Sequence, residues 1–305
     1  MEEERMMEYN TPILFLVFNR PDTTGIVFER IRQVRPKRLY VAADAPRPGR
    51  KNESVLCDKV KEIVTRVDWE CEVKYLFREN NLGCKIAISS AITWFFEQEE
   101  QGVILEDDCL PDPTFFPFCE ELLNRYKDDL RIGHIGGNCF LPGIVKDGLS
   151  YDFCSITHIW GWATWRRVWK NVDVDFPFWN QYKERRRFLF SDKWEEIYFS
   201  SFISDALANR KGLNPWGVFY YYSLRLQNQL SVYPSVNLVT NIGLGSENAT
   251  HTSKKNKKLY VAHENIRFPL SHPAFVMCNK EINRKSIKHI FFSYKRLLRF
   301  FLKDF

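Results

Sequence analysis

The sequence contains no CxxC pair, although it has eight cysteines, Cys57, Cys71, Cys84, Cys109, Cys119, Cys139, Cys154 and Cys278. That spacing gives no support to a zinc site or to thioredoxin-type redox chemistry. It has no apolar run long enough to span a bilayer, and the first such run, Ile13 to Phe18, falls far short. There is no GxxxxGK[ST] phosphate loop, no internal repeat and no low-complexity segment. The opening residues MEEERMMEYN are acidic and polar, unlike a secretion signal. These absences predict a cytoplasmic protein with buried, reduced thiols. Asn248-Ala249-Thr250 matches the N-glycosylation pattern and is set aside on the same ground.

The body also lacks net charge. Residues 280–305 hold eight of the 44 basic residues and two of the 38 acids, so this segment carries the whole +6 and the remainder balances at 36 each. A neutral body with no recognition motif argues against a nucleic-acid partner. With 45% hydrophobic and 27% charged residues, the 305-residue chain is an ordinary soluble globular one. It is long enough to bury a core without disulfides.

Short apolar runs alternate with helical stretches through the first half. Ile13–Phe18, Leu39–Ala43, Val73–Phe77, Val103–Leu105 and Ile132–Ile135 read as buried strands. Helices are predicted between them. One follows Pro21, with Asp22 as N-cap and Ile26, Phe28, Ile31 and Val34 facing inward. The second covers Asn52–Val67, with Val55, Val60, Ile63 and Val64 inward. Two more run from Leu82 to about Gln98 and over Pro113–Tyr126. This alternation predicts an α/β fold, a mostly parallel sheet with helices on both faces. Ligands of such sheets sit at the carboxyl ends of the strands. Those ends carry Asn19-Arg20-Pro21-Asp22, Asp44-Ala45-Pro46-Arg47, Arg78-Glu79-Asn80-Asn81 and Glu106-Asp107-Asp108. From about residue 137 the alternation gives way to aromatics and glycine, which predicts an α+β half packed against the sheet edge.

A buried strand that ends in three successive carboxylates is costly without a cation beside it. Hard divalent ions take carboxylate oxygens, and magnesium shares its sites with substrate phosphates. VILEDD at residues 103–108 therefore points to Mn²⁺ or Mg²⁺, the alternative being a solvated acid loop.

The segment VILEDDCLPDPTFF resembles the metal-site strand of nucleotide-sugar transferases with the Rossmann-like GT-A fold. It is especially similar to the N-acetylglucosaminyltransferase that begins complex N-glycan branching and to the HlpA-like bacterial glycosyltransferases. PILFLVFNRP, RENNLG, WGWATWRRVW and PSVNLVTNIGLGSENATHT continue the resemblance over roughly residues 10–255. It implies a glycosyltransferase domain over residues 10–265, with a nucleotide-binding half at 10–136 and an acceptor-side half at 137–265.

The resemblance also implies roles for individual residues. Asp108 would ligate the metal, with Glu106 and Asp107 toward ribose and sugar. Asn19, Arg20 and Asp44 would line the base and ribose pocket, and Arg78 and Lys85 would lie near the nucleotide. Gly161 and Trp162 would belong to a loop beside the donor sugar, and His251 would reach the metal or diphosphate. Plainer readings stand beside these. Asn19 and Arg20 serve equally as helix caps, Asp44 as a turn residue, Lys85 as a surface lysine, His251 as a solvated loop residue and the tryptophans as core.

One departure concerns the catalytic base. Relatives often carry Trp-Asp where this chain has Trp216-Gly217, and no Asp or Glu occurs from Ala206 to Ser246. Asp205 and Glu247 are the nearest acids, and Asp205 reads equally as a solvated helix acid. The implied activity is inverting transfer from a nucleotide-diphospho-sugar to a glycan or lipid-linked acceptor in surface polysaccharide synthesis. A degenerate, non-catalytic binding module is the alternative.

Residues 266–305 read as a basic amphipathic tail. On a helix from Arg284 to Phe305, Lys288, Lys295 and Arg299 fall opposite Ile290, Tyr294, Leu297 and Phe301. That predicts peripheral docking on an anionic inner membrane face, against the alternative of a helix packed on the domain.

Overall fold

The run Ile13–Val17 is apolar at every position and forms the first strand, β1, buried along its whole length. A strand with no polar face has to sit inside a sheet covered on both sides. A computed structural model of the chain places it there, and it describes residues 9–176, 189–190, 193–208, 216–244 and 259–291. The first half then alternates: α1 (Pro21–Val34), β2 (Arg38–Ala43), α2 (Glu53–Val64), β3 (Glu72–Phe77), α3 (Gly83–Phe96) and β4 (Gln101–Glu106). After these come β5 (Cys109–Pro111), α4 (Phe115–Arg125), β6 (Ile132–Gly136), β7 (Tyr151–Cys154), β8 (Trp162–Trp165) and α5 (Arg166–Trp169). The later elements are α6 (Lys193–Leu207), α7 (Gly217–Leu226), β9 (Leu230–Pro234), β10 (Val239–Asn241) and α8 (Lys280–Ser286), which ends in a π-helical turn at Ile287–Phe291.

Among the described residues, eight strands form one sheet in the order β3-β2-β1-β4-β8-β6-β9-β7. Six run in one direction, and β8 and β7 run against them. Helices flank this mostly parallel α/β sheet, with α3 packed on β1 and β2 and α4 on β4, β6 and β8. The second half is thus not a separate unit at the sheet edge, because β6 to β9 continue the same sheet. β8 enters it between β4 and β6, antiparallel to both. A second, two-stranded sheet pairs β5 with β10 and ties the turn after the acidic triplet to residues 239–241.

Several local expectations need correction. α1 starts with Pro21 at its first position and Arg20 as N-cap, and no side chain caps it. Proline is pre-organised for that position, so Asp22 moves into the first turn, where its charge suits the helix dipole. Val27, Phe28 and Ile31 face the core, whereas Ile26 is 51% exposed. In α2, Val60 and Val64 are buried and Val55 is 52% exposed.

The tail does not stand off the body. Ile266 and Leu270 belong to the main core. Ile282 and Ile287 belong to a second cluster with Phe199, Val218 and Tyr221. Asn279 caps α8, accepting from the backbone N–H groups of Glu281 and Ile282, and buried Asn283 donates to Ser155 Oγ at 2.7 Å. The described part of the tail packs on the domain through its inward residues, and residues 292–305 lie outside the described residues. All eight cysteines are free thiols. Among the described residues no helix is long and apolar enough to cross a membrane.

Candidate functional site

The parallel register brings four strand ends to one level. Leu16 lies beside Glu106, Val17 beside Ala43, and Ala43 beside Phe77. The polar residues that follow these strands therefore converge on one edge. There they enclose a cavity of about 260 Å³. Arg20, Asp44, Arg47, Arg78, Glu106, Asp107 and Asp108 line its polar part. Its other wall is an apolar slot between the sheet and α3, formed by Ala42, Leu76, Cys84, Ala87, Ile88 and Ala91. Small side chains on both walls leave room for a flat group.

The acidic triplet dominates the electrostatics. Arg20 is clamped between Asp107, 3.3 Å away, and Asp108, which accepts directly from Nη1. Asp107 also accepts from the Phe18 backbone N–H at 3.2 Å. Burial raises the Glu106 carboxyl above the usual range, and the charges of Asp108 and Asp107 push it further. Burial raises Asp107 as well, with Arg20 pulling it back down. Burial works against the Arg20 charge, but the two aspartates outweigh it and strengthen its hold on its proton. One guanidinium thus faces three carboxylates.

Among the described residues no group of three His, Cys, Asp or Glu forms a preformed metal cage. The carboxylates nevertheless suit a hard divalent ion of the kind held by one or two acids, with water or phosphate oxygens filling the other positions. Asp108, which lines the cavity with Glu106 and Asp107, could hold such an ion. His251, the other metal ligand implied by sequence, lies outside the described residues, as does Glu247.

The remaining sequence candidates divide. Arg78 lines the cavity and donates to Ser90 Oγ at 2.9 Å. Asp44 lines it too, but its carboxylate already accepts from the backbone N–H groups of Leu82 and Gly83 at 3.0 Å each. It thereby fixes the turn into α3, where Gly83 has φ +75°, a conformation natural to glycine. Asn19 does not line the cavity. It donates to Glu53 at 2.9 Å, and Glu53 in turn grips the Arg47 guanidinium and backbone N–H. Asn19 is therefore one step behind the wall and positions Arg47. Lys85 points elsewhere, pairing with Asp175 at 3.1 Å and lying over the Phe219 ring.

The two tryptophans around Gly161 part company. Gly161 has φ +71°, and a Cβ there would meet Val239 Cγ2 at 2.7 Å. The glycine turns the chain so that Trp160 reaches the cavity. Trp162 instead is fully buried, stacked between His134 and Trp216 in the core. Trp162 is thus a core residue in this structure, and Trp160 is the one at the site. Asp205 sits half-buried on α6 and is not among the residues lining the cavity. At Gly217 a Cβ would meet Ile159 Cδ1 at 2.6 Å, so a side chain there displaces the residue next to Trp160.

Sequence reasoning passed over Asn241 and Gly243, and reached Arg47 and Trp160 only as members of the segment after β2 and of the neighbourhood of Gly161. Asn241 and Gly243 come from the far end of the chain, brought in by the β5–β10 pairing and by the Ile242 N–H bond to the Asp108 carbonyl at 2.8 Å. Gly243 packs so closely that a Cβ would lie 2.5 Å from Asp108 Oδ2 and 2.8 Å from its Cβ. Gly243→Ala is accordingly expected to displace the Asp108 carboxylate and to lower stability by about 1–2 kcal/mol. Urea denaturation of the variant checks this, and an unchanged midpoint would show that the 241–243 segment has room to yield. Cys84 is no nucleophile, since burial, reinforced by Glu106, pushes its thiol up to about 12.

No family model matches the sequence, and no curated protein matches it. Among solved structures, the chain is similar to HddC from Yersinia pseudotuberculosis, with a TM-score of 0.32 and 10% identity over 55% of this chain and 80% of that one. It is also similar to an apo UDP-glucose pyrophosphorylase, with a TM-score of 0.38 and 9% identity over 77% and 93%. A third is the inositol-1-phosphate CTP transferase from T. maritima, with a TM-score of 0.31 and 8% identity over 53% and 73%. These likenesses are distant, and the functional reading rests on the geometry of the cavity.

Proposed function

We propose that the protein is a glycosyltransferase that takes a sugar from a nucleotide-diphospho-sugar and passes it to a glycan or lipid-linked acceptor. One observation carries this reading: a single cavity joins a flat apolar slot, three arginines and an acidic triplet at the carboxyl edge of the sheet. The slot suits a base. Arg20, Arg47 and Arg78 suit a diphosphate, whose oxygens planar guanidinium groups bind well, often two at a time. A divalent ion held by Asp108 would stabilise the negative charge that builds on the departing nucleoside diphosphate. Trp160, at the cavity rim, offers a face to the sugar. Release of Arg20 from Asp108 toward the diphosphate would free an acid and supply a cation in the same movement.

Calorimetry with UDP-, GDP-, dTDP- and CMP-sugars, with and without Mn²⁺, tests the reading. One diphosphate sugar is expected to bind in a metal-dependent way, and Asp108→Ala is expected to weaken it at least about tenfold. Absence of binding by any donor to the folded protein, with metal present, would overturn it.

A second reading is favoured by a specific observation. No acid from Ala206 to Ser246 is available as a base, and Gly217 has Ile159 against the space that a side chain would fill. A donor-binding module without transfer activity fits that arrangement. Donor binding without turnover across a panel of acceptors distinguishes it from the enzyme.

A further inference from the structure

The segment that leads into α8 presents its apolar residues the wrong way for a domain surface. Phe275 is 73% exposed and Met277 is 67% exposed, while Val276 between them packs on the main core. The bridge between Phe153 and Cys278 and the Asn279 N–H bond to the Phe153 carbonyl at 2.7 Å fix this segment beside β7. Once Val276 faces in, Phe275 and Met277 share the outward side.

α8 follows at once. Its inward face is Ile282, Asn283, Ser286 and Ile287, all buried. Its outward face holds Lys280, Arg284 and Lys288 at fourfold spacing, together with Lys285, all exposed. The single acid on that face, Glu281, is paired with Lys285 at 2.7 Å. The outward face therefore presents three basic groups beyond that internal pair. The sequence from 292 to 305 adds Lys295, Arg296, Arg299 and Lys303 against Asp304. The rest of the chain is neutral, so this charge is not a general property of the surface.

We infer that Phe275, Met277 and the outward face of α8 form a docking surface for an anionic lipid bilayer. Two exposed apolar side chains beside a basic helical face match the two parts of such an interface. The apolar tips enter the headgroup boundary, and the charges meet anionic lipid. A protein partner of this size of contact would more usually be met by a larger apolar patch. The inference is independent of glycosyl transfer, although a lipid-linked acceptor would place the enzyme where its substrate lies.

Co-sedimentation of the full chain with vesicles tests it. One set is phosphatidylcholine alone, and the other includes phosphatidylglycerol. Binding is expected on the anionic vesicles and to weaken at high salt. The triple variant Lys280→Glu/Arg284→Glu/Lys288→Glu leaves the Glu281–Lys285 pair in place. It is expected to lose at least about a hundredfold in partition, counting roughly fivefold for each of the three basic groups removed and nothing for the acids introduced. Phe275→Ser/Met277→Ser is expected to lose about tenfold while keeping its salt dependence. Both sets of residues are exposed, and circular dichroism verifies that each variant is folded. Equal binding to neutral vesicles, wild-type binding by the folded triple variant, or no vesicle binding with retention of a single-stranded nucleic acid instead would each overturn the inference.

Discussion

Replacing Arg20 with methionine is expected to lower stability at pH 7 by about 3 kcal/mol, and a second change, Asp108→Asn, is expected to restore a large part of it. Among the described residues, Arg20 is the cation paired with both Asp107 and Asp108, with Glu106 beside them, and its side chain is only 19% exposed. Removing a partner from a largely buried ion cluster costs more than the pair is worth, because the remaining charges stay desolvated. Methionine keeps the length and the packing of the aliphatic stem, so the loss reports on charge. Asp108→Asn removes the charge that Arg20 touches most closely. Urea denaturation of the two single variants and the double variant closes a cycle. Additive effects would mean that Arg20 holds α1 in place through packing and not as a counter-charge. Strong coupling would identify the guanidinium as the group that keeps three carboxylates tolerable at the strand edge.

The convergence of those groups was legible in the sequence because each of β1 to β4 carries a short apolar run and helical stretches separate them. Parallel strands joined by helical crossovers place their carboxyl ends on one side, so whatever follows each run meets there. Arg20, Asp44, Arg78 and the acidic triplet were found this way, and the cavity contains all six. Asn19, in the first of those segments, and Lys85, in the first turn of α3, still miss the cavity. Chain position sets a residue at the edge, but the side chain goes to whichever partner satisfies it, Glu53 for Asn19 and Asp175 for Lys85.

The second half was less legible for a different reason. β8 is four residues long, Trp162 to Trp165, and earns its place only by pairing with β4 and β6, each far away in sequence. Local pattern carries no trace of such partners, and a short aromatic run fits helix, strand or loop equally. The positive φ of Gly161 then sends the adjacent tryptophans to different surroundings, which no alternation rule anticipates. Ile26 and Val55 show the same limit on a smaller scale. A helix is recognised by its period, but the stripe that turns inward is chosen by what it packs against.

Two buried histidines are expected to withdraw stability from this protein as the pH falls, beginning well above the ordinary carboxylate range. His134 lies within β6, fully buried, with Nδ1 3.3 Å from the Tyr220 hydroxyl, Nε2 3.1 Å from the His158 carbonyl and its ring stacked on Trp162. His158 packs edge-on against Phe140 and Tyr233. Burial pushes both imidazoles down to about 3, with His158 adding to the effect at His134. A group whose folded pKa lies below its unfolded value of about 6.5 is protonated first in the unfolded chain. Its contribution to stability is therefore complete above pH 6.5 and is lost as the pH falls toward 3. At 1.36 kcal/mol per unit, the two histidines together lose roughly 5 kcal/mol between pH 6.5 and pH 4.5. Partial burial holds His263 and His272 below their ordinary value too, so they add to the same limb. The raised carboxyls of Glu106 and Asp107 act in the opposite sense over the same window, so the histidine contribution is read as the difference in the pH dependence of Tm between the wild type and a variant that lacks one imidazole. His134→Gln keeps a polar side chain beside Tyr220 but cannot titrate. It is expected to be less stable at pH 7 and to lose close to half of the histidine contribution to the acid slope. An unchanged slope in that variant would show that His134 takes up its proton inside the folded protein, and that the core around Trp162 opens to water before the chain unfolds.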